Sequence, residues 1–163
     1  MRSISEDALK GCKNLQSIQV GSGHANYKSI DGNLYSKDGK VLIQYALGNP
    51  RTSFTVPNGV QSIAAEAFSG CENLTSIIVP NGVVCIGAFA FQRCSKLTVI
   101  VLPSSIKAID SFMFLYCNQL KNIRFQGTMA QWKAIKKNSI WDDESLATDT
   151  ATDVVCLDGV VKL

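Results

Sequence analysis

Residues 60–82 read VQSIAAEAFSGCENLTSIIVPNG, residues 83–105 read VVCIGAFAFQRCSKLTVIVLPSS, and residues 106–125 read IKAIDSFMFLYCNQLKNIRF. Set one under another, they place Ile63, Ile86 and Ile109 at one position and Phe68, Phe91 and Phe114 at another. Cys71, Cys94 and Cys117 follow, then Leu74, Leu97 and Leu120, then Ile77, Ile100 and Ile123, with Pro80 matching Pro103. The period is 23 residues, the offset from Val60 to Val83. A unit that recurs in register reads as one coil of a solenoid, because a single coil cannot bury its own apolar face and must stack on a copy of itself.

The local pattern inside a unit says how each coil is built. In Leu74-Thr75-Ser76-Ile77-Ile78-Val79 the inward residues are Leu74, Ile77 and Val79, by strand alternation. Pro80 or Pro103 ends the strand, and Asn81-Gly82 turns the chain. Val83 and Ile86 open a second extended segment. Ala64–Phe68 and Gly87–Phe91 each favour a short helical turn that drops the phenylalanine inward. A period in this range predicts an α/β leucine-rich-repeat solenoid, right-handed and of four or five coils. Its strands form a parallel sheet on one side, with short helical turns on the other.

Working outward, residues 1–20 carry Ile4, Ala8, Leu9, Cys12, Leu15, Ile18 and Val20 at the phases of Ile63, Ala67, Phe68, Cys71, Leu74, Ile77 and Val79, so they read as a further repeat. A terminal repeat needs a polar cap, so either this first coil is atypical or the chain is a piece of a longer array, and the second is expected. Residues 21–59 break the period. Leu34-Tyr35 and Val41–Tyr45 flank Ser36–Lys40 as a hairpin, Asp31-Gly32 is a tight turn, and Phe54-Thr55-Val56-Pro57 replays a repeat strand. Residues 126–163 read as a C-terminal cap: a helix over Met129–Asn138 with Thr128 as N-cap, then a hairpin through Asp158-Gly159. The whole, 1–163, is predicted to be one domain.

The unit Ile63-x3-Ala67-Phe68-x2-Cys71-x2-Leu74-x2-Ile77-x-Val79-Pro80 resembles the BspA-type bacterial leucine-rich repeat. The segment from Tyr27 through Ile30-Asp31-Gly32-Asn33-Leu34-Tyr35 to Asp38-Gly39 is similar to that family's irregular hairpin repeat. Gly127-Thr128, Trp132, Ile135 and Cys156-x-Asp158-Gly159 resemble its terminal module. Leu9 stands where phenylalanine is usual, and Met1–Asp7 lack the apolar run of a signal peptide. The resemblance implies a cell-surface or secreted bacterial protein that binds other macromolecules. Some members are adhesins for host extracellular-matrix proteins, and the family offers no catalytic residues.

Composition narrows the chemistry. A net charge of +3 is too small to argue for nucleic acid, which is not expected as a partner, and no apolar run is long enough to span a bilayer. Cys12, Cys71, Cys94 and Cys117 share one phase, which makes them a reduced internal ladder rather than a disulfide or metal framework. Cys85, at the phase of Ser62 and Ala108, is expected to face outward. His24 stands in a Gly-Ser loop without a paired carboxylate or cysteine, so neither a triad nor a zinc site follows. Asp142-Asp143-Glu144 lack the spacing of a calcium loop and read as a solvated segment. Trp132 and Trp141 are expected to seal the last coil. No cofactor is expected, and no pair of acids recurs in phase as a glycan-cleaving enzyme would need.

The strongest candidate site lies on the strands. Alternation turns Ser17 and Gln19, Ser76 and Ile78, Val99 and Val101, and Asn122 and Arg124 outward. Ser76, Ile78, Val99, Val101, Asn122 and Arg124 then form an apolar strip rimmed by polar and basic residues, the expected ligand face. Lys121, Arg124, Lys133, Lys136 and Lys137 form a basic tract that could meet acidic glycan but reads first as a solvated face. The predicted function is macromolecular binding, adhesion to a host or matrix protein above all. A structural spacer without a ligand is the alternative, and a glycan-binding or glycan-active accessory domain stands behind both.

Overall fold

The protein was analysed as a computed structural model, which describes residues 4, 8–137 and 153–162. In chain order its strands are β1 (Tyr27–Ile30), β2 (Asn33–Ser36), β3 (Val41–Gln44), β4 (Ser53–Thr55), β5 (Ser62–Ile63), β6 (Ser76–Ile78), β7 (Cys85–Ile86), β8 (Val99–Pro103), β9 (Ala108–Ile109) and β10 (Asn122–Gln126). Helix α1 (Met129–Ala134), β11 (Lys136–Lys137), β12 (Asp153–Cys156) and β13 (Gly159–Lys162) follow.

Each coil contributes to two sheets rather than one. The sheet expected from the sequence runs β13-β12-β10-β8-β6-β4, parallel throughout except for the β12–β13 hairpin. The second extended segment, for which no sheet was expected, pairs with its neighbours into another one, β1-β2-β3-β5-β7-β9-β11. Register follows the repeat: Ser53, Ser76, Val99 and Asn122 align in the first, and Val41, Ser62, Cys85 and Ala108 in the second. The strand amides and carbonyls of a coil have no strand partner within it, and stacking pairs them between coils.

The remaining side differs from the expected helical turns. Residues 65–70 and 88–93 form runs of turns, and their amides donate to the next coil: Glu66 N to Ala88 O at 3.0 Å, Phe68 N to Ala90 O at 2.8 Å and Gly70 N to Gln92 O at 2.8 Å. Helix needs those amides to bond four residues back, so the ladder between coils replaces it. The phenylalanines still point inward. Tyr45, Phe68, Phe91 and Phe114 stack along the axis with centroids 5.2, 5.2 and 5.6 Å apart. Around them Ile63, Leu74, Ile77, Ile86, Leu97, Ile100 and Leu120 are buried.

The ends of the chain add detail. Asp31 and Gly32, both at positive φ, turn β1 into β2, and β3 completes a three-stranded antiparallel meander. Residues 15–20 take no strand beside β4, contrary to the alignment of Ser17 and Gln19 with Ser76 and Ile78. Ile18 N bonds Gly32 O at 2.8 Å and Val20 N bonds Ser29 Oγ at 2.7 Å, so the β1–β2 hairpin holds this segment. Helix α1 is shorter than expected. It stops at Ala134, and Lys136–Lys137 joins β9 as a strand. The terminal hairpin turns through Leu157-Asp158, one residue before the expected Asp158-Gly159, because Cys156 pairs with Gly159.

Candidate interaction surface

The six-stranded sheet buries one row of side chains and presents two. Phe54, Ile77, Ile100, Ile123 and Val154 point into the core. On one side of that row stand Ser53, Ser76, Val99, Asn122, Asp153 and Lys162, in register across the strands. On the other stand Thr55, Ile78, Val101, Arg124, Val155 and Val160. Ile78 is 43% exposed, Val155 37% and Val160 47%, while Val99 and Val101 are half-buried. Ser76, Ile78, Val99, Val101, Asn122 and Arg124 therefore lie together on three adjacent strands.

The face is wider than its sequence reading. Val155 and Val160 extend the apolar row, because β12 pairs in parallel with β10 and carries the hairpin into the sheet. The alternation Val154, Cys156 inward against Asp153, Val155 outward was visible, but a cap was expected where the strand joins the ladder. Lys162 Nζ meets Asp153 Oδ2 at 2.6 Å across the same hairpin. Ser17 and Gln19 are not part of this face.

The basic tract does not assemble into one patch. Arg124 stands on the six-stranded sheet, Lys136 on the other sheet and Lys133 on α1. Lys137 takes a structural role: its Nζ donates to Trp132 O at 2.6 Å and lies 4.9 Å from the Trp132 ring centre. Trp132 is buried edge-on against Phe125, with 5.2 Å between centroids, and so closes the core. Trp141 and Asp142-Asp143-Glu144 lie outside the described residues. His24 Nδ1 accepts from the amides of Asn26 and Tyr27, each at 3.2 Å, which shapes its own loop.

Cys71, Cys94 and Cys117 are buried free thiols, and Cys85 is exposed. Cys94 Sγ donates to Phe68 O at 3.2 Å and Cys117 Sγ to Phe91 O at 2.9 Å, so each thiol bonds the preceding coil. The Cys94 thiol beside it, together with burial, pushes the Cys117 thiol well up. Among the described residues no group of three or more histidine, cysteine or acidic side chains could hold a metal ion, and no helix is long and apolar enough to cross a membrane.

Two other features stand apart from the strand face. A cavity of about 400 Å³ opens between the first segment and the meander, lined by Leu9, Tyr27, Leu34, Ile43, Leu47 and Ala64 among others. Leu42 aligns with Ile63 and Phe54 with Ile77, so this coil is two residues shorter than a regular one, and the cavity lies where its turns are cut. On the side made of turns, Glu66, Phe89 and Phe112 share one left-handed position, with φ of 57°, 56° and 53°. Gly11, Gly70, Arg93 and Tyr116 share another, with φ of 69°, 81°, 57° and 62°. Each bulky residue held there costs roughly 1–2 kcal/mol against glycine.

Residues 45–148 match the BspA-type leucine-rich repeat region in six copies. The chain belongs to this family. The pneumococcal vaccine antigen PcpA is similar in structure, with a TM-score of 0.63 and 23% identity over 70% of this chain and 34% of its own. A leucine-rich repeat protein from Eubacterium ventriosum aligns with a TM-score of 0.62 and 22% identity over 90% of this chain and 44% of its own. One from Bacteroides capillosus aligns at 0.63 and 23% over 81% of this chain and 99% of its own. At these identities the likeness shows the repeat fold. The chain spans less than half the length of the first two of these structures. No curated protein sequence matches it.

Proposed function

We propose that the chain is a macromolecule-binding module of a bacterial surface or secreted protein, that its role is not catalytic, and that it adheres to a protein partner through the outer face of the six-stranded sheet. The carrying observation is the row Ile78, Val101, Val155 and Val160, four apolar residues in register across adjoining strands and interrupted only by Arg124. An apolar strip on a solenoid sheet marks an interaction surface more often than scattered apolar residues do. Arg124, exposed in the middle of it, adds an anchor of the kind enriched in interface centres.

The test is binding of the chain to immobilised matrix proteins and glycans beside a triple variant, Ile78→Asp, Val99→Asp and Val101→Asp, verified as folded by circular dichroism. A protein ligand held by wild type and weakened on the order of tenfold or more in the variant fits the proposal. Undiminished binding by the variant moves the site off this face. If wild type retains nothing, a spacer role gains.

A further inference from the structure

We propose that strand β13 is a self-association edge, and that two copies of this chain join there by antiparallel pairing about a two-fold axis. The six-stranded sheet runs two strands past β10, to β12 and β13, while the other sheet runs only one past β9, to β11. β13 therefore stands beyond the last coil. It pairs with β12 alone, and no backbone bond among the described residues reaches its other side. The hairpin closes on Cys156 and Gly159 around a two-residue turn, which makes that pair hydrogen-bonded. By alternation the amides and carbonyls of Val160 and Lys162 point away from β12, toward the open edge.

The other three edges of the two sheets are guarded. Residues 18–20 lie along the β1–β2 hairpin, through Val20 N on Ser29 Oγ and Ile18 N on Gly32 O. Strand β4 spans three residues between Pro50 and Pro57, and β11 is two lysines. Shortness, proline, charge and a covering segment are the devices that keep strand edges apart. β13 has four residues and no proline, and Val160 within it is 47% exposed. Charge selects a second copy as the occupant. The stretch Asp158-Gly159-Val160-Val161-Lys162 is complementary to itself about Val160. Laid antiparallel with Val160 opposite Val160, it sets each Asp158 opposite Lys162 of the second copy. A register centred on Val161 sets each Lys162 opposite Val160 instead. Asp158 makes no ion pair among the described residues, and only its Oδ1 is taken, by Met129 N. Lys162, with its side chain 75% exposed, meets Asp153 and keeps further ammonium hydrogens to donate. Residues directly opposite across antiparallel strands share a face. The row Ile78, Val101, Arg124, Val155 and Val160 thus continues into its own copy, and two strand faces become one surface.

The experiment is sedimentation equilibrium of the full chain, from micromolar concentration up to about 0.5 mM. Wild type should pass from one chain toward two as concentration rises. Val160→Pro removes only an amide that points off the sheet, so it should keep the fold and stay monomeric. Asp158→Lys and Lys162→Asp each set like charges opposite one another in the dimer. Each alone should associate more weakly than wild type by on the order of tenfold or more. Mixed in equal amounts, and each verified as folded by circular dichroism, they should associate with one another, because both opposite-charge pairs return in the mixed dimer. That mixture serves if Val160→Pro does not fold. The triple strand-face variant should associate as wild type does, which separates this edge from the binding face proposed above. Four outcomes would overturn the inference. They are wild type monomeric throughout, folded Val160→Pro associating as wild type does, folded charge variants that associate alone or fail to associate when mixed, or loss of association in the triple variant.

Discussion

At the scale of the residue, one repeat phase can carry different duties on successive coils. Position 71 and its equivalents Cys94 and Cys117 do the same work each time: a buried thiol fills the core, and Cys94 and Cys117 bond the coil before. Their recurrence made the inward direction legible from sequence. The carbonyl partners, Phe68 and Phe91, were not, because each is 26 residues away. Ellman's reagent should therefore label Cys85 rapidly in the native protein, and Cys71, Cys94 and Cys117 only when denaturant is added. Rapid labelling of a Cys94-only variant, with the other five cysteines replaced, would contradict this. The preceding phase behaves otherwise, as Gly70 against Arg93 and Tyr116 shows. Gly70→Ala puts a side chain at φ +81° in open space, so only backbone strain changes. It should lower stability by about 1 kcal/mol in urea titration.

At the scale of the element, caps were legible and ends were not. Thr128 accepts from Gln131 N at 3.1 Å, and Gln131 Oε1 accepts from Thr128 N at 2.8 Å, a reciprocal capping box on α1. Thr128→Ala should cost about 1 kcal/mol, read from the shift of the urea midpoint. An unchanged midpoint would mean that packing of Trp132 alone holds the helix. The periodicity of Met129, Trp132 and Ile135 located this helix, yet nothing local announces that Lys136–Lys137 leaves it. That step follows from the open edge of β9, where Lys107 O receives Lys136 N at 3.0 Å. Asp31-Gly32 was readable as a turn because both residues tolerate positive φ. The Asp158 turn slipped by one residue because tertiary bonds hold it: Asp158 Oδ1 accepts from Met129 N at 2.7 Å, and Leu157 N donates to Gly127 O at 2.9 Å.

At the scale of the whole molecule, the continuous core makes stability sensitive to alkali. Burial pushes the Tyr35 and Tyr45 hydroxyls up from an ordinary 10.0, and Cys117 is pushed up from 9.0 by Cys94 and by burial. Each is an acid that the folded chain keeps protonated. Below about pH 9 both states hold these protons, and stability does not depend on them. Above it the unfolded chain releases protons that the native chain retains, so stability falls as pH rises. Urea midpoints at pH 7 and 10.5 should differ, with Tyr45→Phe narrowing the gap. Equal midpoints would show that these groups are not shifted. The inward phase of the recurring isoleucines, phenylalanines, cysteines and leucines between Val60 and Phe125 was determined by the sequence alone, because strand alternation repeated at a fixed period leaves no other register that buries Ile77, Ile100 and Ile123 together. Tertiary structure alone decided that the second extended run becomes a sheet, that turns bond between coils, and that the terminal hairpin widens the strand face. Those outcomes depend on which backbone groups a stacked coil leaves unpaired, and no single coil contains that information.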